Sequence, residues 1–233
     1  MELVGHRGCP DHGPENSARA VAAAAERLPA VEVDLRRCGS GDLVAVHDER
    51  VDGVTDGTGR VADLDLTALR ELRVDGSDEP VATFTEIVDA VPAGTTLHVE
   101  LKEPGLWRDV RAVLERETAP AVRISSFSAP ALAEIARSEW VPETGLLFGD
   151  HPTANLDLAA ALDCANVHPP ARLCLEPGGR ALVDRAHDAG FGVYAWGLEA
   201  ATDDRADRTA PVRALADRGV DGVTTDTWDL PQP

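Results

Sequence analysis

The chain has 233 residues, 43% hydrophobic and 27% charged, with 41 acidic residues against 22 basic ones and a formal charge of −19. That balance excludes a sequence-independent nucleic-acid binder, which needs a basic patch to displace counterions from phosphates. The alanine-rich stretch Val21 to Ala25 falls far short of the roughly 20 apolar residues that cross a bilayer, so no transmembrane segment is expected.

The start, Met1-Glu2-Leu3-Val4-Gly5-His6, lacks the basic flank and apolar core of a signal peptide, which predicts a cytoplasmic protein. Cys9, Cys38, Cys164 and Cys174 are scattered without zinc-finger spacing and read as reduced, buried thiols. Every basic residue but Lys102 is arginine. An acidic, lysine-poor surface points to a halophilic setting, a cytoplasm rich in salt that screens carboxylate repulsion. A high-GC genome writing Arg for Lys is the plainer source of the same bias.

Short runs rich in Val, Leu and Ile alternate with helical patterns, which predicts βαβ units around a parallel sheet. In chain order, the first strand is read over Leu3 to His6. A loop then leads into the alanine-rich helix, opened by Asn16 or Ser17, with a cap role the default for Asn16. A strand over Val31 to Leu35 follows. The next run, Leu43 to Val46, comes after a link of only Cys38-Gly39-Ser40-Gly41-Asp42, too short for a helical crossover of about a dozen residues. It must turn back as a hairpin arm above the sheet. Residues 48–92 form a small insertion with helices near Thr67 to Leu72 and Phe84 to Val91. Further strands are predicted over Leu97 to Leu101, Val122 to Ser125, Gly145 to Phe148, Ala165 to His168, Gly192 to Trp196 and Gly222 to Thr225. Ser128 with Pro130 opens one helix between them, and Gly190 and Gly219 close two others. With the hairpin arm set aside, eight parallel strands remain. The chain is expected to be one (β/α)8 TIM barrel domain over residues 1–233, with the insertion between barrel strands 2 and 3.

Strands buried on both faces should be apolar throughout, so charges inside them need a reason. Glu32 and Asp34 stand at i and i+2 on one strand face, and Glu100 and Lys102 repeat the spacing on another. Inward carboxylates at Glu32, Asp34 and Glu100 would repel one another without a cation. An all-oxygen donor set favours Mg2+ or Ca2+. A salt-bridge network with Lys102 and Arg7 is the structural alternative. His6 and His47 each end an extended segment beside this cluster, which suits acid-base chemistry. His168, before Pro169-Pro170, can also face the site, whereas His187 is expected in solvent. Trp196 is core or ligand platform. G-x-S-x-G, P-loop and G-x-G-x-x-G signatures are absent, which leaves metal-assisted acid-base chemistry.

Taken in order, His6-Arg7-Gly8, Pro14-Glu15-Asn16-Ser17, Glu32-Val33-Asp34, His47-Asp48, Glu100-Leu101-Lys102, Ser125-Ser126-Phe127, Trp196 and the run Gly219 to Asp226 resemble the glycerophosphodiester phosphodiesterases along nearly the whole chain. The resemblance implies Glu32, Asp34 and Glu100 as ligands of one divalent cation, and His6 and His47 as the catalytic pair. It implies Arg7 and Lys102 as phosphate contacts, and Glu15 and Asn16 near the metal or the glycerol. The implied partner is a small-molecule glycerophosphodiester, hydrolysed to an alcohol and glycerol phosphate. Two departures stand out. Asp52-Gly53-Val54-Thr55 and the run Glu79 to Phe84 replace an Arg-Thr step and an iPtL-like motif, and Gly197-Leu198 replaces a polar step after Trp196. Rival readings are a phospholipase D-like or cyclising enzyme on a related phosphodiester, and a non-catalytic phosphate-binding barrel.

Overall fold

The computed structural model describes residues 1–115, 119–201 and 208–230. Its strands are β1 (Glu2–Gly5), β2 (Ala30–Arg37), β3 (Leu43–Ala45), β4 (Thr96–Leu101), β5 (Ala121–Ser126), β6 (Glu143–Leu147), β7 (Asn166–His168), β8 (Gly192–Ala195) and β9 (Gly222–Thr225). Eight of them pair in parallel in the order β1-β9-β8-β7-β6-β5-β4-β2, and the β1–β2 pairing closes the ring. Helices join the strands, so this is a (β/α)8 barrel. β3 pairs antiparallel with β2, Leu35 opposite Ala45, as a link too short for a crossover requires.

Each barrel strand turns one set of side chains to the helices and the alternate set inward. On β2, Val31, Val33 and Leu35 are fully buried in the core between sheet and helices, together with Leu97, Val99 and Leu101 of β4. Glu32, Asp34, His98 and Glu100 take the other face. Residues of the excursion after β3 build a smaller cluster of their own from Val51, Val61, Leu69 and Val74, roofed onto Val44 and Val46. Two short helices, α2 (Leu66–Glu71) and α3 (Phe84–Ala90), lie close to where the periodicity puts them. Thr83 and Glu86 form a reciprocal capping box on α3, satisfying two helix-end donors.

Helix α1 (Ala18–Ala25) packs its small residues close to the first turn of the chain. Gly8 lies at φ +80°, and a Cβ there would meet the backbone of Ala20 and Val21 at 2.8 Å. Only glycine fits. The expected cap needs correcting: the Ser17 hydroxyl, not Asn16, accepts the Ala20 N–H at 3.1 Å. Asn16 is drawn away by a tertiary partner described below. Strand ends differ by one residue at His6, which begins a 3-10 turn, and at Trp196, which makes an isolated parallel bridge to Pro170 beyond the end of β8. All four cysteines are free and buried.

Candidate active site

The C-terminal ends of β2 and β4 carry the inward carboxylates. Asp34 lies opposite Glu100 in register, with Glu32 one step below beside His98. Glu32, Asp34 and Glu100 are all buried, and each offers an oxygen within 4.8 Å of the others. Lys102 Nζ lies across two of them, 2.6 Å from Glu100 Oε1 and 3.0 Å from Asp34 Oδ1. Arg7 Nε is 3.1 Å from Asp34 Oδ2, while its Nη1 donates to Glu15 Oε2 at 2.9 Å.

Backbone geometry delivers these groups. Arg7 sits in the left-handed region at φ 48°, so its N–H donates to Glu32 Oε2 at 3.1 Å while its side chain reaches Asp34. Asn16, at φ 55°, donates from Nδ2 to Asp34 Oδ2 at 2.9 Å and accepts the Asp34 N–H at 3.1 Å. These two non-glycine residues in a strained conformation converge on one carboxylate, a pattern that clusters at functional sites. Glu15 is held from the other side, its N–H donating to Asp75 Oδ2 at 3.1 Å.

The charges do not balance. Four carboxylates, Glu15, Glu32, Asp34 and Glu100, face two cations, Arg7 and Lys102. Burial and then the Asp34 charge push the Glu32 carboxyl up to about 8. Burial likewise raises Glu100 despite Lys102. Asp34 goes the other way, to about 2, because Lys102 and Arg7 outweigh its burial. An excess of two buried negative charges is what a hard divalent cation would neutralise, and the donors are all carboxylate oxygens.

Both histidines flank this cluster with a carboxylate on Nδ1. His6 Nδ1 is 2.7 Å from Asp226 Oδ1, and His47 Nδ1 is 2.7 Å from Asp48 Oδ1. That arrangement leaves each Nε2 for a substrate. Burial alone would lower the His6 pKa, but the Asp226 hydrogen bond and the Glu32 charge lift it to about 9. Burial lowers the His47 pKa, Asp34 opposing the shift and Lys102 adding to it. The pair is thereby split, one ring disposed to hold a proton and the other to take one. His47 hangs from the hairpin arm, its carbonyl accepting from Arg36 Nε at 2.9 Å.

These groups open onto a cavity of about 460 Å³ at the barrel mouth. One wall is charged: His6, Arg7, Glu32, His47 and Glu100. The facing wall is apolar, with Phe127, Leu147, Trp196 and Ala200. The Trp196 indole donates to the His168 carbonyl at 3.0 Å, and its ring meets Phe127 edge-on at 5.5 Å. Lys102, Asn16, Glu15 and Asp34 stand behind the charged wall. His187 is partly exposed and bonded to Asp221 at 2.8 Å, outside the cavity. Residues given no role from sequence also line it, among them His98, Ser125, Glu199, Thr224 and Asp226. Glu199 accepts the Asp226 N–H at 2.8 Å and so steadies the carboxylate that orients His6. Asp226 closes the Gly219 to Asp226 run, which was the one signal that could have found it.

Comparisons with known proteins agree with this geometry. The profile of the glycerophosphoryl diester phosphodiesterase family matches residues 6–230. A glycerophosphodiester phosphodiesterase of Caldanaerobacter subterraneus subsp. tengcongensis is 25% identical over 238 residues, covering 96% of this chain and 93% of that one. A phosphodiesterase from Oleispira antarctica, solved in complex with the product sn-glycerol-3-phosphate, superposes with a TM-score of 0.84 at 24% identity, covering 97% of this chain and 93% of that one. A glycerophosphodiester phosphodiesterase from Thermotoga maritima gives 0.81 at 21% identity, covering 98% and 96%. The two structures bear on the fold, and the family profile bears on the chemistry.

Proposed function

This chain belongs to the glycerophosphoryl diester phosphodiesterase family, and we propose that it hydrolyses glycerophosphodiesters with His6 as general acid and His47 as general base. Hydrolysis of a glycerophosphodiester to an alcohol and glycerol phosphate is the activity of the family. The observation that carries the residue roles is the uncompensated buried carboxylate cluster flanked by two carboxylate-held imidazoles.

Glu32, Asp34 and Glu100 would hold one divalent cation, Mg2+ or Ca2+, since their donors are oxygens and their charge exceeds that of Arg7 and Lys102. When bound, it supplies Lewis-acid polarisation and charge neutralisation at the phosphate. Arg7 and Lys102 contact the phosphate oxygens and stabilise charge as it develops there. His47, whose pKa is held down, takes the proton of the attacking oxygen, from water or from the glycerol 2-hydroxyl. His6, kept protonated by Asp226, gives a proton to the departing alkoxide. Glu15 and Asn16 are positioning residues, fixing Arg7 and Asp34 respectively. Trp196 forms the apolar side of the substrate channel with Phe127. The glycerol phosphate bound by the Oleispira enzyme supports the same class of product here.

We read residues 1–233 as one catalytic unit in a salt-rich cytoplasm, on the strength of the acidic, lysine-poor composition. No helix among the described residues is long and apolar enough to cross a membrane. Glycerol phosphate release from glycerophosphocholine, followed with Mg2+ or Ca2+ and then in excess EDTA, tests the reading. Turnover should require the ion. An undiminished rate in EDTA contradicts it.

A further inference from the structure

His6 faces the cavity, but the chain of contacts that holds it leads away from the cavity to Arg208. Asp226, whose Oδ1 is 2.7 Å from His6 Nδ1, follows the last barrel strand β9. Its peptide groups are fixed on both sides: the N–H donates to Glu199 Oε1 at 2.8 Å, and the carbonyl accepts the Asp11 N–H at 3.1 Å. Thr225 Oγ1 donates to the same Glu199 oxygen at 3.3 Å. Three carboxylates, Asp11, Glu199 and Asp226, are thereby gathered around one turn of chain.

Arg208 meets them. It immediately precedes the helix Thr209–Asp217, which is anchored by the fully buried Val212 and Leu215. Its side chain is only 6% exposed. Nη1 donates to Asp11 Oδ2 at 2.6 Å, and Nε stands 3.8 Å from Glu199 Oε1. Nε has no hydrogen-bond partner among the described residues. Leaving a buried donor unmade is costly, so this guanidinium is not placed as the best partner of a single acid. It sets one positive charge against several carboxylates. Asp11 and Arg208 stand 197 positions apart and meet because β9 pairs with β1.

Neighbouring carboxylates repel each other, and the repulsion is relieved by taking up a proton or by turning apart. Either change at Asp226 would take the acceptor away from His6 Nδ1. Burial would raise the Asp226 carboxyl, but the His6 hydrogen bond and charge, followed by the Arg208 charge, hold it below the usual carboxylate value.

We propose that Arg208 is a positioning residue for the acid half of the reaction: its charge keeps Glu199 and Asp226 together, and Asp226 then holds the His6 ring with Nε2–H turned to the leaving oxygen. The inference rests on the assignment of His6 as general acid above. Arg208 does not line the cavity, so it acts through other residues and not on the phosphate. In the step that it serves, the P–O bond to the alcohol breaks and Nε2 gives its proton to the departing oxygen, while Nδ1–H stays bonded to Asp226. An ion pair that only tied this helix to the loop at Asp11 would affect every substrate alike.

The leaving group separates these cases. A choline alkoxide must be protonated as it departs, whereas 4-nitrophenolate departs without a proton. Steady-state rates with Mg2+ are therefore compared on glycerophosphocholine and on the 4-nitrophenyl ester of glycerol phosphate. Arg208→Met should lower kcat on the choline ester by about tenfold or more, a part of the roughly 10²–10⁴-fold that general acid catalysis supplies, with KM little changed. The 4-nitrophenyl ester should be turned over at close to the parental rate, which also shows the variant to be folded. Arg208→Lys, which keeps the charge, should recover part of the loss. If Arg208→Met does not fold, Arg208→Gln, which keeps a donor but not the charge, carries the same comparison. Equal losses on both esters, parental kcat on the choline ester, or an Arg208→Lys enzyme no better than Arg208→Met overturns the proposal. His6→Ala on the same two esters tests the underlying reading. A contrast there that Arg208→Met lacks removes only the role of Arg208, and no contrast in His6→Ala removes the acid role and the proposal together.

Discussion

The barrel interior holds two sets of charged residues, one above the other, and they differ in how their charges are met. In the lower set, Arg123 donates to Glu2 and Glu143 at 2.7 Å each, stacks on Tyr194, and sits beside a His98 that burial keeps neutral. Glu143 reaches solvent, so the buried part of this set is close to neutral. In the upper set, four carboxylates face Arg7 and Lys102, with His6 beside Glu32 but matched by its own partner Asp226, and burial pushes Glu32 and Glu100 toward protonation. Buried charge by itself therefore does not mark a site. Unbalanced buried charge around a cavity does, because folding would not retain it unless a ligand neutralised it.

Substitutions at the two levels should separate these cases. Glu100→Gln at the upper level should abolish glycerophosphocholine turnover while leaving the circular dichroism spectrum unchanged, and retained turnover would break the contrast. His6→Ala and His47→Ala should each lower kcat by about 10²–10⁴ with little change in KM, as expected for acid-base groups. A His47→Ala enzyme within about tenfold of the parent would remove that residue from the chemistry.

Arg123→Met at the lower level should instead lower stability by about 1–3 kcal/mol in a denaturant titration, because Glu2 is left without its partner. Its kcat should stay close to that of the parent, because Arg123 does not line the cavity at the barrel mouth.

The weakest expected signal is the pH dependence of the ion-free protein. Folding raises Glu32 from 4.5 to about 8 and His6 from 6.5 to about 9, so between these limits the folded state holds more protons than the unfolded one. Stability should thus be full below the unfolded values and fall as pH rises through 8 and 9. Thermal melts across that range should show the decline, and Glu32→Gln should flatten part of it. A stability that rises with pH would show the upper carboxylates to be adequately paired.

Much of this arrangement was legible in the sequence wherever a local rule sufficed. The i, i+2 spacing of Glu32 with Asp34 and of Glu100 with Lys102 fixes them to one strand face, and the five-residue link Cys38 to Asp42 allows only a hairpin. Contacts made by barrel closure were not legible. Asp226 meets His6 across 220 positions because β9 pairs with β1, and no spacing announces that. His168 was open to either reading until Gly145 and Tyr194 were seen to aim its ring. Asn16 was misread as a cap because local propensity favours it there, whereas Asp34 holds it in place and leaves the cap to Ser17. The lower set escaped notice because Glu2, Arg123 and Tyr194 are each unremarkable alone.

The central claim, that the upper set is completed by one divalent cation, is tested most directly by calorimetric titration of Mg2+ or Ca2+ into EDTA-stripped protein. The parent and Arg123→Met should each bind one ion per chain, and Glu100→Gln should lose that binding. Absence of binding by the parent, or undiminished binding by Glu100→Gln, would contradict the account.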